Sequence, residues 1–146
     1  MKLTSTAFTE GEIIPKKFTG DGTNVNPPLH IEDIPADTKS LALLVDDRDA
    51  PSGEFNHWVL FNIDPHTHDI VEGCPPVIST QGRNGFGNSE YGGPQPPSGE
   101  HRYWFKLFAL DTVLNLPRGC RQGDVESAMS NHVIDEAVLM GRYSRN

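Results

Sequence analysis

The stretch SLALLVDDRDAPSGEFNHWVLFNI, residues 40–63, decides the fold. In its first eight residues Leu41, Leu43 and Val45 share a face, and period-2 alternation sets Asp47 at the end of that face. Residues 57–63 read as a second strand, with His57, Val59, Phe61 and Ile63 on one face and Trp58 and Leu60 on the other. The intervening residues 48–56 are rich in turn formers. Two apolar runs joined so closely pair antiparallel, which places Asp47 and His57 at one rim of a sheet.

Further along, residues 73–100 hold seven of the chain's 14 glycines and five of its 12 prolines. An irregular segment of that length is functional or disordered, and Phe86, Tyr91 and the stiff prolines favour an ordered binding loop. It leads into HRYWFKLFALD, residues 101–111. There His101, Tyr103, Phe105, Leu107 and Ala109 alternate with Arg102, Trp104, Lys106, Phe108 and Leu110. Both faces are largely apolar, which predicts a central strand. His101 opens it and joins Asp47 and His57 if the strand enters from the same end.

The tail changes period. Asp124 is the expected N-cap of a short helix, and Asn131 or Ser130 that of a second. Val133, Ile134, Ala137, Val138 and Met140 make the apolar stripe of the second, and Gly141 ends it. The expected architecture is mainly β, an antiparallel sheet with short peripheral helices at the C-terminus, in one domain over residues 1–146.

Hydrophobic residues make up 36% and charged residues 22%, which suits a soluble globular chain rather than a disordered one. A net charge of −8 repels nucleic acid and anionic membranes at long range. A bound anion must therefore be captured by a local constellation. No stretch approaches the ~20 apolar residues that span a bilayer, and the start lacks a signal-peptide run, so the chain reads as cytoplasmic. Cys74 and Cys120 stand in unlike contexts without a CxxC or Cys/His cluster, which argues for free thiols and no structural metal. His66 and His68 lack a third ligand at a telling spacing. GRNGFG, residues 82–87, lacks the helix-starting Lys-Ser/Thr of a nucleotide loop. No cofactor is expected.

A rim carrying one carboxylate and two imidazoles under a Gly/Pro-rich loop suits an oxyanion: imidazolium and backbone N–H groups donate, and the carboxylate orients an imidazole. Each residue alone has an ordinary reading, a packed or surface histidine or an Asp that starts a turn. Their convergence carries the weight.

The segment VDDRDAPSGEFNHWVLFNI resembles the Asp-x-Asp-Ala-Pro motif and following His-led strand of the phosphatidylethanolamine-binding protein family. YGGPQPPSGEHRYWFKLFALD resembles that family's second signature, a Gly-Pro-rich loop running into His-Arg-Tyr. FTGDGTNVNPPL and IPADTKSLALLV fit its opening loop and first core strand, and the GRY near the end its closing helix. The similarity covers nearly the whole chain and is greatest to the bacterial and archaeal Raf-kinase-inhibitor-like branch. It implies an antiparallel β-fold whose small pocket binds phosphate-type anions such as a phospholipid headgroup. Carried over by position, the ligand-binding residues are Asp47, Ala50, Pro51, Phe55, His57, Gly93, Pro94 and His101, with Tyr103 behind them. Arg48 stands where the motif usually has Pro, Gln95 where related bacterial sequences often have Cys, and Asn26 where Ser is common. The chain stops soon after Tyr143, without the C-terminal segment that lines the mammalian pocket, so a more open pocket is expected. Asp49 and Arg102 read either as an ion pair tying turn to strand or as ligands.

The resemblance implies a small-anion-binding protein, with a kinase or protease partner and a homodimer left open. A hydrolase could use Asp47, His57 and His101 for acid–base work. It would lack a G-x-S-x-G elbow, and no Ser or Cys stands directly beside either histidine in the central motifs. Serine-protease inhibition would need an exposed reactive loop, and none is braced by a disulfide. The cysteine reading has a direct check: thiol titration after denaturation without reductant should find two thiols, and finding none would overturn it.

Overall fold

A computed structural model describes residues 1–145. Its strands are β1 (Lys2–Thr4), β2 (Leu29–Glu32), β3 (Ser40–Asp47), β4 (Phe55–Ile63), β5 (Asp69–Ile70), β6 (Thr80–Gln81), β7 (Glu100–Leu110) and β8 (Val133–Ser144). One α-helix, α1 (Gln122–Met129), and a 3-10 turn at Lys16–Phe18 complete the described elements. A five-stranded sheet runs in the order β6-β4-β3-β7-β8, and β1-β2-β5 form a smaller sheet. All pairs of named strands are antiparallel. The mainly β, antiparallel expectation is met.

All of β3 is buried because both of its faces are covered. On the front face Leu41, Leu43 and Val45 pack with Trp58, Phe105 and Leu107, and with Leu3, Leu29, Ile31 and Ile70 of the smaller sheet. On the rear face Ala42 and Leu44 pack with Val59 and Phe61 beneath Leu114, Val125 and Met129, so α1 and its approach form the roof. A strand enclosed on both sides needs an unbroken apolar run, which SLALLV supplies. β7 lies between β3 and β8, as the two apolar faces of residues 101–111 predict.

Strict alternation along β4 fails twice. Leu43 pairs with Leu60 but Leu41 with Ile63, so one extra residue enters β4 there. Asn62 takes it up at φ 51° and is held by Leu114, donating Nδ2 to its carbonyl at 2.7 Å and accepting its N–H at 2.8 Å. Ile63 consequently joins Trp58 and Leu60 in the front core rather than Val59 and Phe61. Val45 pairs with Trp58 but Asp46 with Asn56, which leaves His57 as the extra residue of a second bulge. A bulge re-aims a side chain. Here it turns His57 away from Val59 and Phe61 towards Tyr103 on the front face. β4 also begins earlier than expected, at Phe55 opposite Asp47, so the turn is residues 48–54.

The tail corrects the sequence reading. The expected second helix is β8, paired along β7 from Glu100↔Ser144 to Leu110↔Val133, and GRY lies on this strand. Residues 133–141 fit a helical stripe, yet Ala137, Leu139, Gly141 and Tyr143 also alternate, and this is the set that is buried. The open edge of β7 satisfies a long ladder of backbone groups, and such tertiary context overrides local preference. Asn131 (φ 70°) serves in the turn before β8, not as a cap. Asp124 is not the N-cap of α1 but its third residue; the cap is Arg121, whose N–H donates to Asp124 Oδ2 at 2.9 Å. Gly141 ends no helix, and a Cβ there would stand 2.5 Å from Ile14 Cγ1 and 2.8 Å from the Phe8 ring. Gly141→Ala should therefore destabilise the fold by about 1–3 kcal/mol, the range for overpacking. Urea denaturation measures it, and an unchanged midpoint would contradict this placement.

Candidate functional site

The front rim collects three strand ends. Asp47 ends β3 opposite Phe55 of β4 and Tyr103 of β7. His101 precedes Tyr103 by two residues and so shares its face. The His57 bulge supplies the third member. All are buried: Asp47 is 4% exposed, His57 3% and His101 6%. A buried carboxylate is tolerated when it is paired and hydrogen-bonded. Asp47 Oδ2 lies 2.6 Å from His101 Nδ1, and Oδ1 accepts the Asp49 N–H at 2.8 Å. The Nε2 of His101 lies 3.1 Å from the Ser98 carbonyl. Both partners of His101 are acceptors, so the ring is fixed in place from both of its nitrogens.

His57 is held differently. Its Nδ1 is 2.7 Å from the Gly92 carbonyl, which can only accept, so Nδ1 carries the hydrogen and the neutral ring keeps a lone pair at Nε2. The ring stands edge-on to Phe55 (5.2 Å between centroids), Phe86 (5.4 Å) and Tyr103 (5.2 Å). Burial pushes its pKa below the usual histidine value, with the Gly92 carbonyl and the Asp47 carboxylate opposing. The Tyr103 hydroxyl is buried and has no hydrogen-bond partner within bonding geometry among the described residues, and burial together with the nearby Asp47 charge pushes its pKa up.

The pocket between these groups has a volume of about 190 Å³. Of the expected residues it is lined by Asp47, Ala50, Pro51, Phe55, His57, His101 and Tyr103. Gly93 and Pro94 do not line it. They are buried behind, where Gly93 N donates to Asn24 Oδ1 at 2.7 Å and the Pro94 carbonyl accepts Gly20 N at 2.9 Å. A Cβ at Gly93 would stand 2.3 Å from the Phe18 carbonyl oxygen, so its role is close packing beneath the loop. Ser52, Phe86, Gln95, Pro96 and Pro97 also line the pocket; the irregular segment is expected as a binding loop, but these five were not among the expected ligand residues. The aromatic residue and the Gln-Pro-Pro run in the irregular segment were the available signals. Asn84 builds the loop that presents Phe86, accepting the N–H groups of Phe86 and Asn88 at Oδ1 and donating Nδ2 to the Glu90 carbonyl.

Asp49 and Arg102 form the ion pair rather than lining the pocket. Arg102 donates its backbone N–H and Nε to Oδ2 at 2.8 and 2.9 Å and a terminal nitrogen to Oδ1 at 2.8 Å, which lowers the Asp49 pKa to about 2. Of the larger hollows, those of about 360 Å³ beside β1 and β8 and about 600 Å³ beside Val77 and Val113 are lined by no buried titratable side chain. Among the described residues, no group of three or more His, Cys, Asp or Glu is placed to hold a metal, and no helix is long and apolar enough to cross a membrane. Cys74 is exposed and Cys120 buried, both as free thiols.

Polar donors under an aromatic and proline rim can receive an oxyanion and exclude water from it. Because the Asp47 charge helps to hold up the His57 pKa, Asp47→Asn should lower the His57 titration midpoint further. Long-range ¹H–¹⁵N NMR of the imidazoles follows this, and an unchanged or raised midpoint would refute the assigned electrostatics.

A model of the family described as phosphatidylethanolamine-binding protein matches residues 4–144. A UPF0098 protein of Methanothermobacter thermautotrophicus is 48% identical over 150 residues, covering 99% of each chain. One of Pyrococcus horikoshii is 47% identical, covering 97% of this chain and 75% of its own. Among solved structures, a Chlamydia trachomatis protein reported as a homologue of phosphatidylethanolamine-binding protein superposes with a TM-score of 0.95 at 39% identity, covering 99% of this chain and 97% of its own. Escherichia coli YbcL, reported as a member of the mammalian PEBP family, gives 0.92 at 28% identity, covering 99% and 98%.

Proposed function

Because this chain belongs to the phosphatidylethanolamine-binding protein family, we propose that it binds a small phosphate-bearing anion in the pocket between His57, His101 and Tyr103. One observation supports the reading: a buried His57 with its Nδ1 taken by the Gly92 carbonyl lines the same small pocket as Tyr103, whose buried hydroxyl has no hydrogen-bond partner within bonding geometry among the described residues. A phosphoryl oxygen supplies the missing acceptor for Tyr103, and a second oxygen accepts from protonated His57 Nε2. Asp47 orients His101 at the wall and adds the negative charge that favours protonation of His57. The pocket volume suits a phosphoryl group with a short substituent, as in a lipid headgroup without its chains. A kinase or protease partner would meet the ligand at the mouth, where Phe86 is 40% exposed.

Hydrolysis is the weaker reading. Covalent catalysis wants a nucleophile hydrogen-bonded to a base, and among the described residues no Ser or Cys side chain hydrogen-bonds to either front-rim imidazole.

The pH dependence follows from the lowered His57 pKa. The empty pocket holds His57 neutral down to below its usual ~6.5, and the bound anion favours the charged ring and raises that pKa. Between the two values binding takes up a proton. Affinity should rise as pH falls from about 8 through the bound-state pKa, then level off below the free-state one. Protonation of the phosphate near pH ~6 offsets the last of the gain. Calorimetry of phosphoethanolamine in buffers of different ionisation enthalpy reads the uptake directly. His57→Ala should abolish the uptake, and Tyr103→Phe should weaken binding by roughly tenfold, as for one hydrogen bond to a charged group. Flat affinity from pH 8 to 6 with no proton uptake would exclude this mechanism.

A further inference from the structure

Another hollow, about 320 Å³, opens on the rear side of the five-stranded sheet, between the loop 82–88 and the N-terminus of α1. Arg83 and Arg121 line it from neighbouring backbones joined by a parallel bridge. Among the described residues neither guanidinium has an ion pair, whereas Arg102, Arg142 and Arg145 each hold a carboxylate. Two adjacent unpaired cations at a concavity are unusual in a chain of net charge −8, and they attract an anion to that point.

Two independent observations indicate an occupant. Gly123 is the second residue of α1, a position where glycine is a poor helix former. It has no positive φ, and beyond its chain neighbours and its own helix backbone no atom lies within 4 Å of where its Cβ would stand, so packing against the rest of the protein does not require it. What its missing side chain leaves open is the approach to the amides of Gln122 and Gly123, the first two residues of the helix, which have no intrahelical acceptor. Asn56, 8% exposed, also lines the hollow. Its Nδ2 is engaged by Asp46 Oδ1 and the Trp58 carbonyl, and its buried Oδ1 has no hydrogen-bond partner among the described residues. That acceptor calls for a hydrogen on the occupant. Asp46 behind it shares Lys106 with Glu54, at 2.6 and 3.4 Å.

We propose that this hollow is a second anion site, which takes a small phosphate-type oxyanion. Arg83 and Arg121 clamp its oxygens, the amides of Gln122 and Gly123 cap them, and a protonated oxygen such as that of hydrogen phosphate meets Asn56 Oδ1. The loop 82–88 separates the two sites, giving Phe86 to the front pocket and Gly85 and Gly87 to the rear one.

The test is a ¹⁵N-NMR titration of the full chain with sodium phosphate at pH 7, against sodium chloride at matched ionic strength. Saturable shifts of the Gln122 and Gly123 amides are expected, distinct from those of Gly92 and Ser98 at the front pocket. His57→Ala should leave the rear set unchanged, which separates failure of the front reading from failure of this one. The double variant Arg83→Gln/Arg121→Gln should weaken the rear response by roughly tenfold or more, the fold-change of losing a hydrogen bond to a charged group. If that variant loses spectral dispersion, Gly123→Ala decides instead, because its methyl fits the helix and crowds the site. Rear shifts no larger than the chloride control, or a midpoint unchanged in the deciding variant, would overturn the proposal.

Discussion

Two consecutive carboxylates, Asp46 and Asp47, end a strand that is buried on both faces. Alternation sends them to opposite sides of the sheet, so each needs its own compensation, because an unpaired buried charge costs several kcal/mol. β7 supplies both partners. His101 meets Asp47 on the front at 2.6 Å, and Lys106 meets Asp46 on the rear at 2.6 Å. Residues 101 and 106 differ by an odd number, which is what puts them on opposite faces. The register of β3 on β7, with Asp47 opposite Tyr103, is therefore tied to charge pairing as well as to apolar packing.

The two carboxylates are then used differently. Asp46 is fully buried and also receives Asn56 Nδ2 and Gln122 Nε2, so it fastens α1 to the sheet. Burial, with Glu54 beside it, raises its pKa to about 6. Asp47 faces a pocket, and its remaining influence falls on His57 and Tyr103. The same strand end thus closes the rear of the molecule and organises the front.

The turn between β3 and β4 shows how a missing residue is replaced. Arg48 does not restrict φ as proline would. The turn is instead tied by Asp49 to Arg102 through three hydrogen bonds and by the Arg48 guanidinium 4.6 Å over the Trp104 ring, a cation–π contact. Both anchors lie on β7, so the pocket wall at Ala50 and Pro51 depends on a strand remote in sequence.

The mainly β class, the pairing of residues 40–47 with the following strand, and the meeting of Asp47, His57 and His101 could all be read in the sequence. Each follows from local periodicity and turn chemistry. Recognising Ala50, Pro51, Phe55 and Tyr103 as pocket residues needed the family motifs, because nothing local distinguishes them. The face of His57 was not readable, since a bulge is a mismatch between two strands and exists only once they are paired. Nor was β8, whose residues fit a helix until the open edge of β7 offers them a ladder. Gly93 and Pro94 lie in the right motif but behind the pocket, and Phe86 and Gln95 line it from an irregular loop with no period to read. The sequence by itself determined which segments alternate and which polar groups close them. The tertiary structure decided where those groups point, because orientation at a bulge, an edge or a loop depends on partners distant along the chain.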